Sequence, residues 1–532
     1  MLHRSILPAI VAVLVALPAG AQNVNKAIDA FRAGSYEDAA SQFYAVLRFD
    51  DEPGNIVEAQ YGLAKSFEKL GLHVAALKYY EDIAREGSVH PYFDKAVEGL
   101  LDVAEALGDD FKVPPVLDSL YERNFEALAK LKPETVQRLN FVIGRHSFNR
   151  QNIVDARQFL ATVKAGNPAY PESQYLLGLI ELGVGRPDAP QPEYDKAIAH
   201  FEKARQAIGV DATKESERRL YDLATLAVGR ANYERAYLLD ETNPADAHKR
   251  AFYIRTAIRE YKKIARFSQA WPDALFERSW AFTVASGVPN SYGKALGSLH
   301  SLRSPYFSDQ FYPESNILEA IIYYYNCQWD RVNEVLDRTK ATYSPMVEQM
   351  KRLGESNYDL DEWYALLNRS VEAGPKAGDP ELIPWPVAMR ITRDERFAKF
   401  ERFLKALERE AEYFRSNGAF NRSEMGREMT DFALETRDAF VQVLGRYVKT
   451  KLVDATTELS DITTRASIVS LETKTAETEW LEQGRAIENI QRARLPRPFI
   501  PDDTFQFWWF DNEYWIDELG YYEYTLKTEC FE

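Results

Sequence analysis

The sequence predicts an all-α protein: a helical-hairpin solenoid, then long coiled-coil-like helices, then a short aromatic tail. Three observations carry this expectation. Gly34, Gly71 and Gly108 recur at an interval of 37 residues, each at the end of an apolar helical pattern. From Val387 to Leu495 there is no proline, and apolar residues there alternate spacings of three and four. The segment from Ile500 onward holds eleven aromatics and nine acids against a single lysine, Lys527.

Residues 1–21 have the composition of an export signal. His3-Arg4 give a short positive start, Ile6 to Leu17 form an apolar core broken only by Pro8, and Ala19-Gly20-Ala21 match a small-x-small cleavage pattern before Gln22. Gln22, not a cysteine, stands directly after that cleavage point, so a non-lipidated, periplasmic protein is expected. No later run approaches the ~20 apolar residues of a membrane helix. The chain has 532 residues, 45% of them hydrophobic and 27% charged, which is ordinary for a globular protein and too long for one core. Its formal net charge is -16, a balance that argues against nucleic-acid or anionic-lipid partners.

The glycine interval marks a repeat. After Gly34 comes Tyr36-x-x-Ala39-x-x-x-Phe43, and after Gly71 comes His73-x-x-Ala76-x-x-x-Tyr80-x-x-Ile83. The pattern returns at Gly144, Ala156, Leu160 and Val163, at Leu177-Gly178, Ala197, Phe201 and Ala204, and at Ala257, Tyr261 and Ile264. It closes with Ala281, Ala295, Leu299 and Leu302, then Ala320, Tyr323, Trp329, Val332 and Leu336. A small residue lets two helix backbones approach, and an aromatic one turn on fills the space beside it.

This series resembles the tetratricopeptide repeat family, whose unit is a helical hairpin of about 34 residues. The resemblance covers residues 22–345, and an armadillo-type or other helical solenoid is the fold-level alternative. Three departures stand out: Phe111 to Lys132 with Pro114-Pro115, a proline-rich insertion at 186–193, and longer helices over 211–255. Family membership implies a concave groove lined by the first helix of each hairpin. Projected onto that pattern, Tyr61, Lys65, Lys69, Arg138, Phe141, Arg145, Tyr175 and Arg278 face the groove as candidate peptide anchors. The same residues can instead make contacts within the chain or meet its own tail. The family's two-carboxylate clamp does not match, because Tyr61 and Phe141 stand where it wants polar or basic residues.

Pro375, Pro380, Pro384 and Pro386, with Gly374 and Gly378, define a connector over 346–391. The proline-free stretch, 392–495, then predicts two helices. Phe397, Phe400, Leu404, Leu407, Ala411 and Phe414 carry the first, which Ser416-Asn417-Gly418 ends. Leu452, Ala455, Leu459, Ile462, Ala466, Val469, Thr473, Ala476 and Trp480 form the seam of the second, Ser423 to Asn489. Periodicity alone leaves open whether this seam pairs within the chain or with another molecule. In the tail, 496–532, Asp511-Asn512 suggests a turn and a small β-hairpin. So many aromatics are expected to pack onto the helices.

The only cysteines are Cys327, in the turn Asn326-Cys327-Gln328 of the hairpin Pro313–Tyr343, and Cys530. A disulfide between them closes a loop of about 200 residues, worth about 5 kcal/mol in the chain-entropy model. Two free thiols are the alternative.

No catalytic, metal or cofactor constellation is expected. His73, His90, His146, His200, His248 and His300 are scattered singly, and no Cys-x-x-Cys or Gly-x-Ser-x-Gly occurs. Gly293-Lys294 departs from a phosphate loop, since Gly287 is one residue too far and Ala295 replaces the hydroxyl; it reads as a turn between repeat helices. Asp502-Asp503 and Asp517-Glu518 read as solvated charge. The function expected is therefore non-enzymatic recognition of protein partners. The order of export signal, repeats, long helix and aromatic acidic end is similar to envelope tetratricopeptide proteins of myxobacteria-like bacteria, some tied to gliding motility, on Tyr312–Leu336 and Trp515–Cys530. That resemblance implies a periplasmic scaffold of an envelope assembly. A glycan-binding protein, stacking sugars on the tail aromatics, is the alternative.

Overall fold

The computed structural model describes residues 24–184, 192–240, 242–375, 378–482 and 513–530. Among these residues every regular element is a helix. The export signal, most of the 186–193 insertion and the Asp511-Asn512 turn with its β-hairpin lie outside the described residues, and 513–530 contains no strand.

Helices come in consecutive pairs. The first are α1 (Val24–Arg32) with α2 (Tyr36–Phe49), α3 (Pro53–Lys69) with α4 (His73–Glu86), and α5 (Phe93–Leu107) before α6 (Val113–Leu128). Next are α7 (Pro133–Asn149) with α8 (Ile153–Leu160), α9 (Tyr170–Leu182) with α10 (Tyr194–Ile208), and the longer α11 (Glu215–Tyr237) with α12 (Pro244–Tyr261). Then come α13 (Trp271–Thr283) with α14 (Ser291–Leu302), and α15 (Glu314–Tyr324) with α16 (Trp329–Gly354). The remainder is α17 (Leu360–Ala373), α18 (Trp385–Arg393), α19 (Glu395–Ser416) and α20 (Glu424–Glu482). The expected break in the third repeat is real: α6 contains a non-helical residue, Asn124, at φ -126° and ψ 30°.

The turn chemistry follows from backbone conformation. Gly34 and Gly71 sit at φ 81° and 75°, the left-handed region a glycine enters without a Cβ penalty. Cys327, in the equivalent turn between α15 and α16, takes φ 55°. The repeat positions also pack as the pattern implies. A Cβ added to Gly62 would stand 2.4 Å from the Phe43 ring, and one added to Gly178 would stand 2.4 Å from Phe201. Only glycine allows these helix pairs to close onto their aromatic.

Packing divides the chain into two compact units. The first comprises Met1–Leu107, Ser119–Leu128 and Ala406–Glu435. Its core holds Leu63, Phe67, Tyr80, Ile83 and Phe93, with Phe414 edge-on to Phe67 at 5.7 Å. The start of α4 has no side-chain cap of its own. Buried Glu410 supplies one from α19, accepting from the backbone N–H of Val74 (2.7 Å) and Ala75 (2.9 Å).

The second unit comprises Gly108–Asp118, Ala129–Lys405 and Thr436–Glu532. One of its clusters joins Phe201 of α10 to Ala224 and Val228 of α11. Another packs Leu444, Val448, Leu452, Ala455 and Leu459 of α20 against Trp363, Leu366, Phe397, Phe400 and Leu404. Ile462 and Ala466, farther along α20, enter the core of α13, α14, α15 and α16. The heptad seam of α20 is thus covered from Leu452 to Val469 by helices of its own chain. A Cβ on Gly445 would meet the Leu360 carbonyl oxygen at 1.6 Å, which fixes how closely α20 crosses the start of α17.

The connector differs from expectation. Position 345/346 falls inside α16, with Pro345 accommodated within that helix, and α17 and α18 occupy much of 346–391. The later prolines act as expected between elements: α17 stops at Gly374 and α18 starts after Pro384.

Candidate functional site

The eight expected groove residues fall in both units, Tyr61, Lys65 and Lys69 in the first and Arg138, Phe141, Arg145, Tyr175 and Arg278 in the second. In the first unit, Tyr61 on α3 stacks on Tyr92 with ring centroids 4.6 Å apart, and Lys95 Nζ lies 5.3 Å from its ring. Burial, then the carboxylate of Glu68, pushes the Tyr61 phenol up to about 12. Lys65 is paired with Glu68 at 2.6 Å, whereas Lys69 is exposed on the last turn of α3. In the second unit, Arg138 is half-buried, but Phe141 is buried rather than presented. The Arg145 guanidinium lies 5.0 Å over the Phe141 ring and 3.3 Å from Glu172 of α9. Tyr175 rests half-buried against Phe201 at 5.7 Å. Phe141, Arg145 and Tyr175 therefore act as packing between helices.

Arg278 is taken by the chain's own tail. It is buried, and it donates to Ser298 Oγ (3.3 Å) and to the Gly520 carbonyl (2.9 Å). Burial pulls its guanidinium down to about 10, so it remains charged at neutral pH. The tail residues 513–530 form a strap over α13, α14 and the α15–α16 turn, with consecutive turns over 516–521 and irregular chain after them. Arg266 donates to the carbonyls of Ile516 (2.6 Å) and Asp517 (3.1 Å). The Gly520 N–H donates to Ser301 Oγ (2.8 Å), and the Tyr524 N–H to the Gly293 carbonyl (3.0 Å). Gln328 Nε2 donates to the Lys527 carbonyl (2.7 Å), and the Glu529 N–H to the Asn326 carbonyl (2.9 Å). Cys530 is then joined to Cys327, with Cα atoms 5.1 Å apart.

Side chains reinforce this backbone pairing. Leu519 is fully buried in the α13–α16 core, worth about 1.5–3 kcal/mol against exposure. His300 of α14 is enclosed by three tail rings. Tyr514 stacks on it at 4.7 Å, Tyr522 meets it edge-on at 4.8 Å, and the Tyr524 hydroxyl lies 3.1 Å from its Nδ1. Burial, then Arg303, lowers the imidazole to about 4, so it is neutral at pH 7. Of the described tail aromatics proposed for sugar stacking, Tyr514, Tyr522 and Tyr524 are engaged here, while Trp515 and Tyr521 remain exposed.

Gly293 and Gly297 are the residues the repeat pattern did not single out. Gly293-Lys294 is not a turn but the first turn of α14. A Cβ on Gly293 would stand 2.1 Å from the Tyr524 carbonyl oxygen, and one on Gly297 would stand 1.7 Å from that of Tyr522. Two glycines one turn apart inside a helix are the one signal that something crosses it closely.

No protein-family model matches the chain, and no curated protein matches it. Among solved structures, one that is similar is a monomeric mutant of IFIT1 with Gppp-AAAA, at 12% identity over 78% of this chain and 90% of that one. Its TM-score is 0.27, so the fold assignment stands on the helix pairs themselves.

Proposed function

We propose that the chain is a non-enzymatic scaffold that binds protein partners of a cell-envelope assembly in the periplasm, in motility or envelope biogenesis. One observation carries this reading. A segment of the chain itself, the strap 513–530, lies along α13 and α14, turning at 516–521, and is held by hydrogen bonds to its backbone, half-buried rings and one buried leucine. Surfaces of paired helices that receive one peptide segment in this way are suited to receive others. The Cys327–Cys530 bond supports an exported location, where disulfides persist. The described helices include none long and apolar enough to cross a membrane.

The experiment is capture from crosslinked envelope extracts with the oxidised chain as bait. Specific recovery of envelope proteins is expected, and recovery of none overturns the scaffold. Exposed Trp515 and Tyr521 favour a second reading, glycan binding through the tail. Co-sedimentation with peptidoglycan that is lost in a Trp515→Ala, Tyr521→Ala variant would establish it.

A further inference from the structure

Between α12 and α14 of the second unit lies an open depression of about 310 Å³, lined by Arg255, Ile258, Arg259, Lys262, Phe282, Val288 and Lys294. Arg255 and Arg259 lie one turn apart on α12, and Lys262, its C-cap residue, follows at helical spacing. All three are exposed, and among the described residues none is paired with a carboxylate. Lys294 reaches in from α14, its Nζ donating to the Pro289 carbonyl at 2.9 Å. The floor is apolar: Ile258 and Phe282 are buried, and Lys262 Nζ lies 5.7 Å from the Phe282 ring. Four cations converge here on a chain whose net charge is -16. Burial, then the charges of Arg278 and Lys294, depresses the Lys262 ammonium. Glu523 opposes that shift, and like charges held this close favour an anion beside them.

The chain itself shows which anion this face accepts. The acid at the rim is Glu523 of the strap, 3.9 Å from Lys294 Nζ and 3.3 Å from Asn290 Nδ2. The strap is an acidic, aromatic peptide, with Glu513-Tyr514-Trp515 at one end and Glu523-Tyr524 near the other. The volume, at the lower end of ligand pockets, suits one side chain rather than a whole cofactor.

We propose that this depression binds an acidic peptide segment of a partner protein. One apolar or aromatic side chain rests on Ile258, Phe282 and Val288, and flanking carboxylates meet Arg255, Arg259 and Lys262. That the peptide belongs to a partner rests on the scaffold reading above.

The test is fluorescence anisotropy of a short labelled peptide alternating Glu and Phe, titrated with the full oxidised chain. Saturable binding is expected, weakened by ~10-fold or more in an Arg255→Gln, Arg259→Gln variant and by raised salt. Both side chains are exposed, so an unchanged melting curve shows that the fold is kept. Equal binding by the variant, or equal binding of the peptide with Gln in place of Glu, overturns the proposal. Single-stranded DNA or inorganic phosphate that displaces the peptide at lower concentration than unlabelled peptide also overturns it. If the variant captures the same envelope proteins as the native chain, the depression is not the site and the scaffold stands. If the peptide binds as expected but capture recovers nothing, the site stands and the scaffold falls.

Discussion

Gly297 and Tyr522 meet so closely that a Cβ on the glycine would lie 1.7 Å from the tyrosine carbonyl oxygen. A backbone atom cannot swing aside as a side-chain tip can, so the strap must lift. Gly297→Ala is therefore expected to cost about 1–3 kcal/mol, against the usual stabilisation of a helix by alanine. Gly54 on α3 has open space around its Cα, and Gly54→Ala should cost nothing comparable. Thermal melts of the two variants, with protease cleavage after Lys527 as a local readout, check this. An unchanged cleavage rate in Gly297→Ala would refute close seating of the strap.

The Cys327–Cys530 bond spans a sequence separation of 203 residues. Removing it, by reduction or by Cys327→Ser, is expected to cost about 2–5 kcal/mol. Peptide mapping without reductant should yield one crosslinked peptide containing both cysteines, and mapping with reductant should yield two. The strap retains its hydrogen bonds to Arg278 and Ser301 after reduction, so cleavage should rise first near Glu529 and only later near Gly520.

Glu410 accepts from two of the orphan donors at the start of α4, the N–H groups of Val74 and Ala75. Glu410→Ala leaves two buried N–H groups without an acceptor, a loss of about 2–3 kcal/mol in the first unit. Glu410→Gln keeps one acceptor oxygen and should recover about half of that loss. Equal melting temperatures for the two variants would show that the acceptor oxygen kept by glutamine contributes nothing to the cap.

Helix pairing was legible in the sequence because it depends on local spacing. Gly62 against Phe43 and Gly178 against Phe201 are short-range events, and their pattern repeats. The strap was legible only in part. Composition implies an aromatic tail packed on the helices, and a Cys327–Cys530 bond is one of two readings of the cysteines, yet the tail's path depends on Gly293 and Gly297, whose neighbours are Tyr524 and Tyr522. Arg278 fits the pattern of a groove anchor, and the sequence leaves open whether it meets a partner or the chain's own tail, whose Gly520 carbonyl it holds. The α20 seam was equally silent about its partner, since Leu452 and Leu459 need an apolar neighbour from any source. The cationic depression escaped notice because Lys294 joins Arg255 and Arg259 only when α14 folds beside α12.

His300 gives the strap a pH dependence whose sign is fixed by its environment. Burial holds the imidazole at about 4 in the folded chain, against 6.5 when unfolded. Arg303 lowers it further, Glu513 opposes, and Tyr514, Tyr522 and Tyr524 enclose it. The unfolded chain therefore binds this proton first. The stabilisation is complete above pH 6.5, declines as pH falls from 6.5 to about 4, and is lost below that, up to about 3 kcal/mol in total. His73, His90, His146 and His200 are also lowered by burial and add slopes of the same sign. The comparison that isolates His300 is denaturant unfolding of the native chain and of His300→Gln at pH 7 and pH 4.5. The variant should be less stable at pH 7, where the Tyr524 hydroxyl contact is weakened, and should lose less on acidification. A variant that loses as much stability as the native chain over that interval would show that His300 does not titrate with unfolding.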